Sequence, residues 1–139
     1  MESVDYLNTF ITVAPDTAAV TAGSPPNAES VAARTLEMIA GHPYEYTSGD
    51  VIFTVWADRR GIPQSERAQA RAEFYSKGQP CLRSSDLGKR YGWGIHADAG
   101  ARVAAYAVDS PEYAAYAAGH SPDGEPVEVR AAMRSKRAP

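Results

Sequence analysis

Along residues 7–14, Thr9, Ile11 and Val13 alternate with Phe10 and Thr12 until Pro15 interrupts the run, the period of two expected of a half-buried strand. The loop-like stretch 15–26 ends in Pro25-Pro26, and the period then changes. Ala28, Ala32, Leu36 and Ile39 recur at helical spacing behind the capping residue Asn27, and Gly41 and Pro43 follow, which predicts a helix over 28–40. Thr47 followed by Asp50 resembles a capping box, and Arg59, Arg60 and Gly61 supply stop signals. Residues 48–60 are therefore read as a second helix, although Val51 to Trp56 would serve a strand equally well. Ser65 can cap a third helix with the stripe Ala68, Arg71, Ala72 and Tyr75, closed by Gly78.

Two further extended runs, Tyr91 to Asp98 and Arg102 to Val108, flank Asp98-Ala99-Gly100, which reads as a hairpin loop with Gly100 left-handed. Ser110-Pro111-Glu112 then starts a short helix that Gly119 closes. The order strand, helices, hairpin, helix predicts an α+β fold. In it, a small antiparallel sheet of the first strand and the hairpin is covered on one side by about four helices. Residues 1–119 are expected to form the single domain and 120–139 a C-terminal extension, in which Val129, Ala132, Met133 and Lys136 have the spacing of a weak helix.

Length and composition fit this picture without narrowing it. A chain of 139 residues with 44% hydrophobic and 22% charged residues suits one ordinary core. The longest apolar runs fall far short of the roughly 20 residues needed to span a bilayer, so no membrane association is expected. The N-terminus lacks the pattern of a secretory signal, and Cys81 has no partner for an internal disulfide, which together point to the cytoplasm. One cysteine and three histidines show no metal-ligand spacing. Gly88, Gly92 and Gly94 do not lie between a strand and a helix, so neither ATP nor NAD is implied and no cofactor is expected.

Charge changes the picture more. The net charge of −3 disfavours a generic nucleic-acid binder. Yet the window 77–96, with Lys77, Arg83, Lys89 and Arg90 against Asp86, carries +3, leaving ten basic and sixteen acidic residues elsewhere. A second basic cluster, Arg130, Arg134, Lys136 and Arg137, lies near the C-terminus. In the first window the run is Lys77-Gly78-Gln79-Pro80-Cys81-Leu82-Arg83-Ser84-Ser85-Asp86-Leu87-Gly88-Lys89-Arg90-Tyr91-Gly92-Trp93-Gly94-Ile95-His96. With Asn8-Thr9-Phe10-Ile11, Pro43-Tyr44 and Tyr46-Thr47-Ser48, it resembles a small uncharacterised bacterial family, a domain of unknown function with a KGQPCLRxSxLxKRYGWGIH-type signature. The resemblance implies no activity, and the chain departs from the family pattern at Asp86 and Gly88, where prolines are usual.

Strand parity puts Trp93 and Ile95 on one face of the hairpin and Gly92, Gly94 and His96 on the other. If residues 80–84 are also extended, Leu82 faces the core while Cys81 and Arg83 face away from it. Cys81, Arg83, Arg90 and His96 would then converge beside an open glycine floor. Arginine forks there would favour an anionic small molecule, which makes small-molecule binding the leading function. Cys81 as nucleophile and His96 as general base are the candidate catalytic residues. Arg83, Arg90, Lys89 and Trp93 are the candidate ligand contacts. Strand rise limits the convergence, since Arg90 and His96 would lie roughly 20 Å apart in a straight strand. The competing expectation is that Gly92 and Gly94 simply let another element approach the sheet closely. The alternative function is a nucleic-acid or protein interaction module, in which the basic turn, interleaved with Tyr91 and Trp93, acts with the basic tail.

Overall fold

A computed structural model describes residues 1–136, so Arg137 lies outside the described residues. The fold is α+β, with a four-stranded mixed sheet and five helices. Strand β1 (Thr9–Thr12) pairs antiparallel with β2 (Trp93–Ala97), and β2 pairs antiparallel with β3 (Val103–Ala107), as the hairpin pattern requires. The fourth strand, β4 (Glu128–Ala131), comes from the tail and runs parallel to β1, with Phe10 opposite Val129. It replaces the weak helix expected there. Its amides complete the free edge of β1, and Ala132 beyond it is buried in the core. Long-range pairing thus overrides a short helical pattern that had little local support.

The helices follow their caps. Helix α1 (Val31–Gly41) begins three residues later than the apolar pattern suggests, because Ser30, not Asn27, accepts the N–H of Ala33. Helix α2 (Ser48–Arg59) carries the full capping box: Thr47 Oγ1 accepts from Asp50 N at 3.0 Å and Thr47 N donates to the Asp50 carboxylate at 2.9 Å. That reciprocal pair settles the choice between helix and strand. Ser65 lies inside a 3-10 turn, Gln64–Glu66, and caps nothing. In α3 (Arg67–Tyr75) Ala68 and Ala72 are exposed and Phe74 is the buried residue, because its ring packs against Phe53 and Trp56 of α2 and so fixes the inward face. Helix α5 (Pro111–Ala117) starts at Ser110, whose hydroxyl accepts from Tyr113 N.

Parity divides the sheet into two buried faces. Ile11, Ile95 and Val103 point to α1 and α2, meeting Leu36, Ile39 and Val51. Phe10 points the other way, into the rings of Tyr113 and Tyr116 on α5. The helices therefore cover both faces of the sheet, not one. A smaller cluster of Phe53, Ala57 and Phe74 fastens α3 to α2. In the hairpin it is Ala101, at φ 66°, that takes the left-handed conformation expected of Gly100. Asp98 stabilises it by accepting from the N–H groups of Gly100 and Arg102. No helix among the described residues is long and apolar enough to cross a membrane.

Candidate functional site

The signature stretch folds as a wrap around one end of the core. Gln79 starts it by donating to Phe74 O. Residues Leu82–Ser84 form a 3-10 turn rather than extended chain, and α4 (Asp86–Lys89) follows, with Ser85 accepting from Leu87 N. The alternation proposed for 80–84 therefore does not hold, because two successive helical turns replace a strand. Leu82 and Leu87 are buried beneath them. Gly88, one of the two departures from the family pattern, allows a close approach: a Cβ there would lie 2.9 Å from the Cβ of Ala132.

Between this wrap and helices α1 and α2 lies a cleft of about 570 Å³, within the range of small-molecule sites. Its floor is apolar, with Ala32, Val55, Trp56, Phe74 and Leu82 among the lining residues. Cys81, Ser84 and Ser85 line the side contributed by the wrap, and Arg59 and Arg60 line the end of α2. Neither arginine has a carboxylate partner among the described residues. Arg59 instead donates to Glu29 O at 2.6 Å, and the Arg60 guanidinium stands 4.8 Å from the centroid of the Trp56 ring.

The candidate residues divide among four places. Cys81 and Arg83 come together around Tyr6. Cys81 Sγ lies 3.3 Å from Tyr6 Oη, and burial raises the Tyr6 phenol with help from Cys81, while Arg83 opposes the shift. The Arg83 Nε–H donates to Ala131 O at 2.7 Å, so this side chain clamps β4. Lys89 and Arg90 end α4 on the outside; Arg90 reaches Asp86 at 3.9 Å and lies over the Tyr91 ring. Arg90 is a C-terminal cap, not a strand residue, and has no register with the glycines. Trp93 rests half-buried on the core with Nε1–H donating to Gly23 O.

His96 is on the α5 face, with the sheet between it and the cleft. Its Nδ1 is 2.8 Å from Tyr44 Oη, which is also 2.8 Å from Tyr106 Oη, and its ring stacks 4.3 Å from that of Tyr116. Burial lowers the tendency of His96 to protonate, partly countered by Asp98. Burial and its phenol neighbours keep Tyr44 firmly un-ionised. Tyr44 holds φ 60°, a left-handed backbone secured by its N–H to Val103 O. The expected open floor is absent. A Cβ on Gly94 would collide with Phe10 and lie 2.6 Å from Tyr113 Cε2, so close approach is the reason for that glycine.

Four stretches thus carry the features read as a signature: the β1 residues, the Tyr44 turn, the capping box and the 77–96 wrap. A family model described as a family of unknown function (DUF6157) matches residues 1–138. The chain belongs to that family. No curated protein and no solved structure matches it. DUF6157 membership spans the tail, consistent with the place of β4 in the sheet. Among the described residues no three His, Cys, Asp or Glu side chains gather in a way that could hold a metal ion. Sequence reasoning found Cys81 but missed Tyr6, Trp56, Arg59 and Arg60 as its neighbours or cleft partners. Arg59 and Arg60 read only as cations ending a helix; their role at a cleft mouth follows from how α2 meets the wrap.

Proposed function

We propose that this DUF6157 protein binds a small molecule with an apolar body and an anionic group in the cleft between α1, α2 and residues 79–86. The observation that carries this reading is an apolar cleft of about 570 Å³ with two arginines at its rim and no carboxylate paired to either. Desolvating an apolar body on Val55, Trp56 and Phe74 supplies affinity, and the guanidinium forks supply the preference for a carboxylate or phosphate. Ser84, Ser85 and Cys81 offer neutral polar contacts on the opposite wall, where the one lining carboxylate among the described residues, Asp86, is turned to Arg90 at 3.9 Å. The anion preference first expected around Arg83 and Arg90 is thereby assigned to Arg59 and Arg60. Cys81 is the group in the cleft with nucleophilic chemistry, and turnover of a bound electrophile would proceed through it.

Thermal-shift screening of amphipathic carboxylates and phosphates beside their neutral amides or alcohols tests the reading. The anionic member of each pair should stabilise the protein more. Arg59→Ala/Arg60→Ala should erase the difference within pairs. Val31→Trp, at an exposed position on the cleft lining, should abolish both responses. Failure of every pair to bind, or binding indifferent to these variants, overturns the assignment.

A further inference from the structure

The two basic clusters, forty residues apart in the chain, are one surface in the folded protein. Ala14 N donates to Gly88 O and Ala132 N to Thr12 O, so the end of β1 lies between α4 and the tail. Met133 N donates to Arg83 O, Ser84 Oγ lies 3.2 Å from Met133 Sδ, and Arg83 Nε–H reaches Ala131 O. The tail is held further along by Asp16, whose carboxylate accepts from the N–H groups of Ser135 and Lys136. These contacts lay Arg83 and Gly88, the residue before Lys89 and Arg90, against residues 131–133, which Arg130 precedes and Arg134 and Lys136 follow.

Three carboxylates belong to the same surface. Asp86 is 3.9 Å from Arg90, Glu128 is 2.6 Å from Arg130, and Asp16 is occupied by backbone amides with Arg134 nearby. Six cations against three carboxylates leave a surplus of three on a protein whose total is −3. Arg90, Arg130, Arg134 and Lys136 are exposed. The concentration is not an average property of the chain, and it is produced by tertiary contacts at the C-terminal end of β1.

We propose that this surface, which adjoins the cleft at Ser84 and Asp86, binds the phosphate backbone of nucleic acid. Arginine dominates the set, and a guanidinium fork matches phosphate geometry in two simultaneous hydrogen bonds. The cations come from a helix end, an edge strand and the chain beyond it, which spreads them along a track rather than around one pocket. Such a track suits repeated backbone phosphates more than a single small anion. The contacts are to phosphates, so the binding is independent of base sequence.

Fluorescence anisotropy with a labelled oligothymidylate of about twenty nucleotides, and with a duplex of equal length, provides the test. Binding should be measurable at about 50 mM salt and weaken at least about twenty-fold by about 200 mM, as expected for three phosphates neutralised on a single strand. Lys89→Glu/Arg90→Glu and Arg134→Glu/Lys136→Glu should each weaken it at least tenfold, roughly, since each pair supplies a comparable part of the surplus. Lys77→Glu/Arg102→Glu makes the same change in net charge elsewhere and should leave binding within about twofold, in keeping with short-range screening. Circular dichroism of all three variants confirms the fold, the replaced side chains lying outside the buried core. The proposal is overturned by absence of binding at low salt, by equal loss in the control pair, or by tighter binding of polyglutamate than of oligonucleotide at matched charge.

Discussion

Gly94→Ala discriminates between a glycine that leaves a floor for a ligand and one that accommodates packing. The added Cβ would collide with Phe10 Cζ and stand 2.6 and 2.8 Å from Tyr113 Cε2 and Cδ2. Ordinary carbon contacts are about 3.5–4.0 Å, so the rings must withdraw by about 1 Å. Phe10 has no room to do so. It is fully buried, with Tyr113 edge-on at 5.1 Å and Tyr116 stacked at 5.1 Å. Overpacking of this kind costs about 1–3 kcal/mol, and two obstructed rings place it at about 3. The lower entropy of alanine in the unfolded chain returns about 0.5–1 kcal/mol, leaving a net loss of about 2. For a domain of this size that corresponds to a fall in Tm of about 6 °C. Urea denaturation gives the free energy directly, and Gly100→Ala is the matched control. A Cβ there meets only Asp98 Oδ1 at 3.5 Å, so that variant should hold or gain up to about 0.5 kcal/mol. Equal or greater stability of Gly94→Ala would refute the close-packing account and restore an open floor beside His96.

Three further outcomes follow from particular contacts. Lowering the pH through about 6.5 should begin to destabilise the protein, because burial depresses protonation of His96 in the fold and the unfolded chain then binds the extra proton; the stability is fully present above that pH, and His96→Gln should flatten this part of the pH profile. Arg83→Ala removes the clamp on Ala131 O and should cost about 1–2 kcal/mol, with hydrogen exchange accelerating first across 128–132; unchanged exchange there would show that β4 is held without it. Thr47→Ala breaks the capping box and should cost about 1 kcal/mol, read by chemical denaturation, with a stability equal to wild type counting against the cap as the determinant of α2.

Much of the fold was legible because its signals are local. Thr47 and Asp50 declare a helix start over four residues, and Ser110-Pro111-Glu112 does the same for α5, since a cap satisfies backbone donors within one turn. The alternation around Asp98-Ala99-Gly100 announced the hairpin for a similar reason. The 3-10 turn at Leu82–Ser84 was not legible, because a run of mixed residues after Pro80 has no periodicity to decide between turn and strand. The candidate site therefore lost its common face. Cys81 remained at a cleft, Arg83 became a clamp, and His96 went to the other side of the sheet.

What the chain determined by itself is the Thr47 and Ser110 caps, the hairpin, the alternation within β1 and the hairpin strands, and the presence of two basic segments. Each depends on residues within a turn or two of one another, where neighbouring backbone groups must be satisfied whatever the rest of the chain does. Tertiary structure alone decided that the tail becomes β4, that α5 buries the second face of the sheet, and that the two basic segments lie at one end of β1. The physical reason is that an unpaired β1 edge and an apolar Phe10 face can be satisfied by any segment of suitable shape. Which segment does so is settled only when the whole chain competes to bury them.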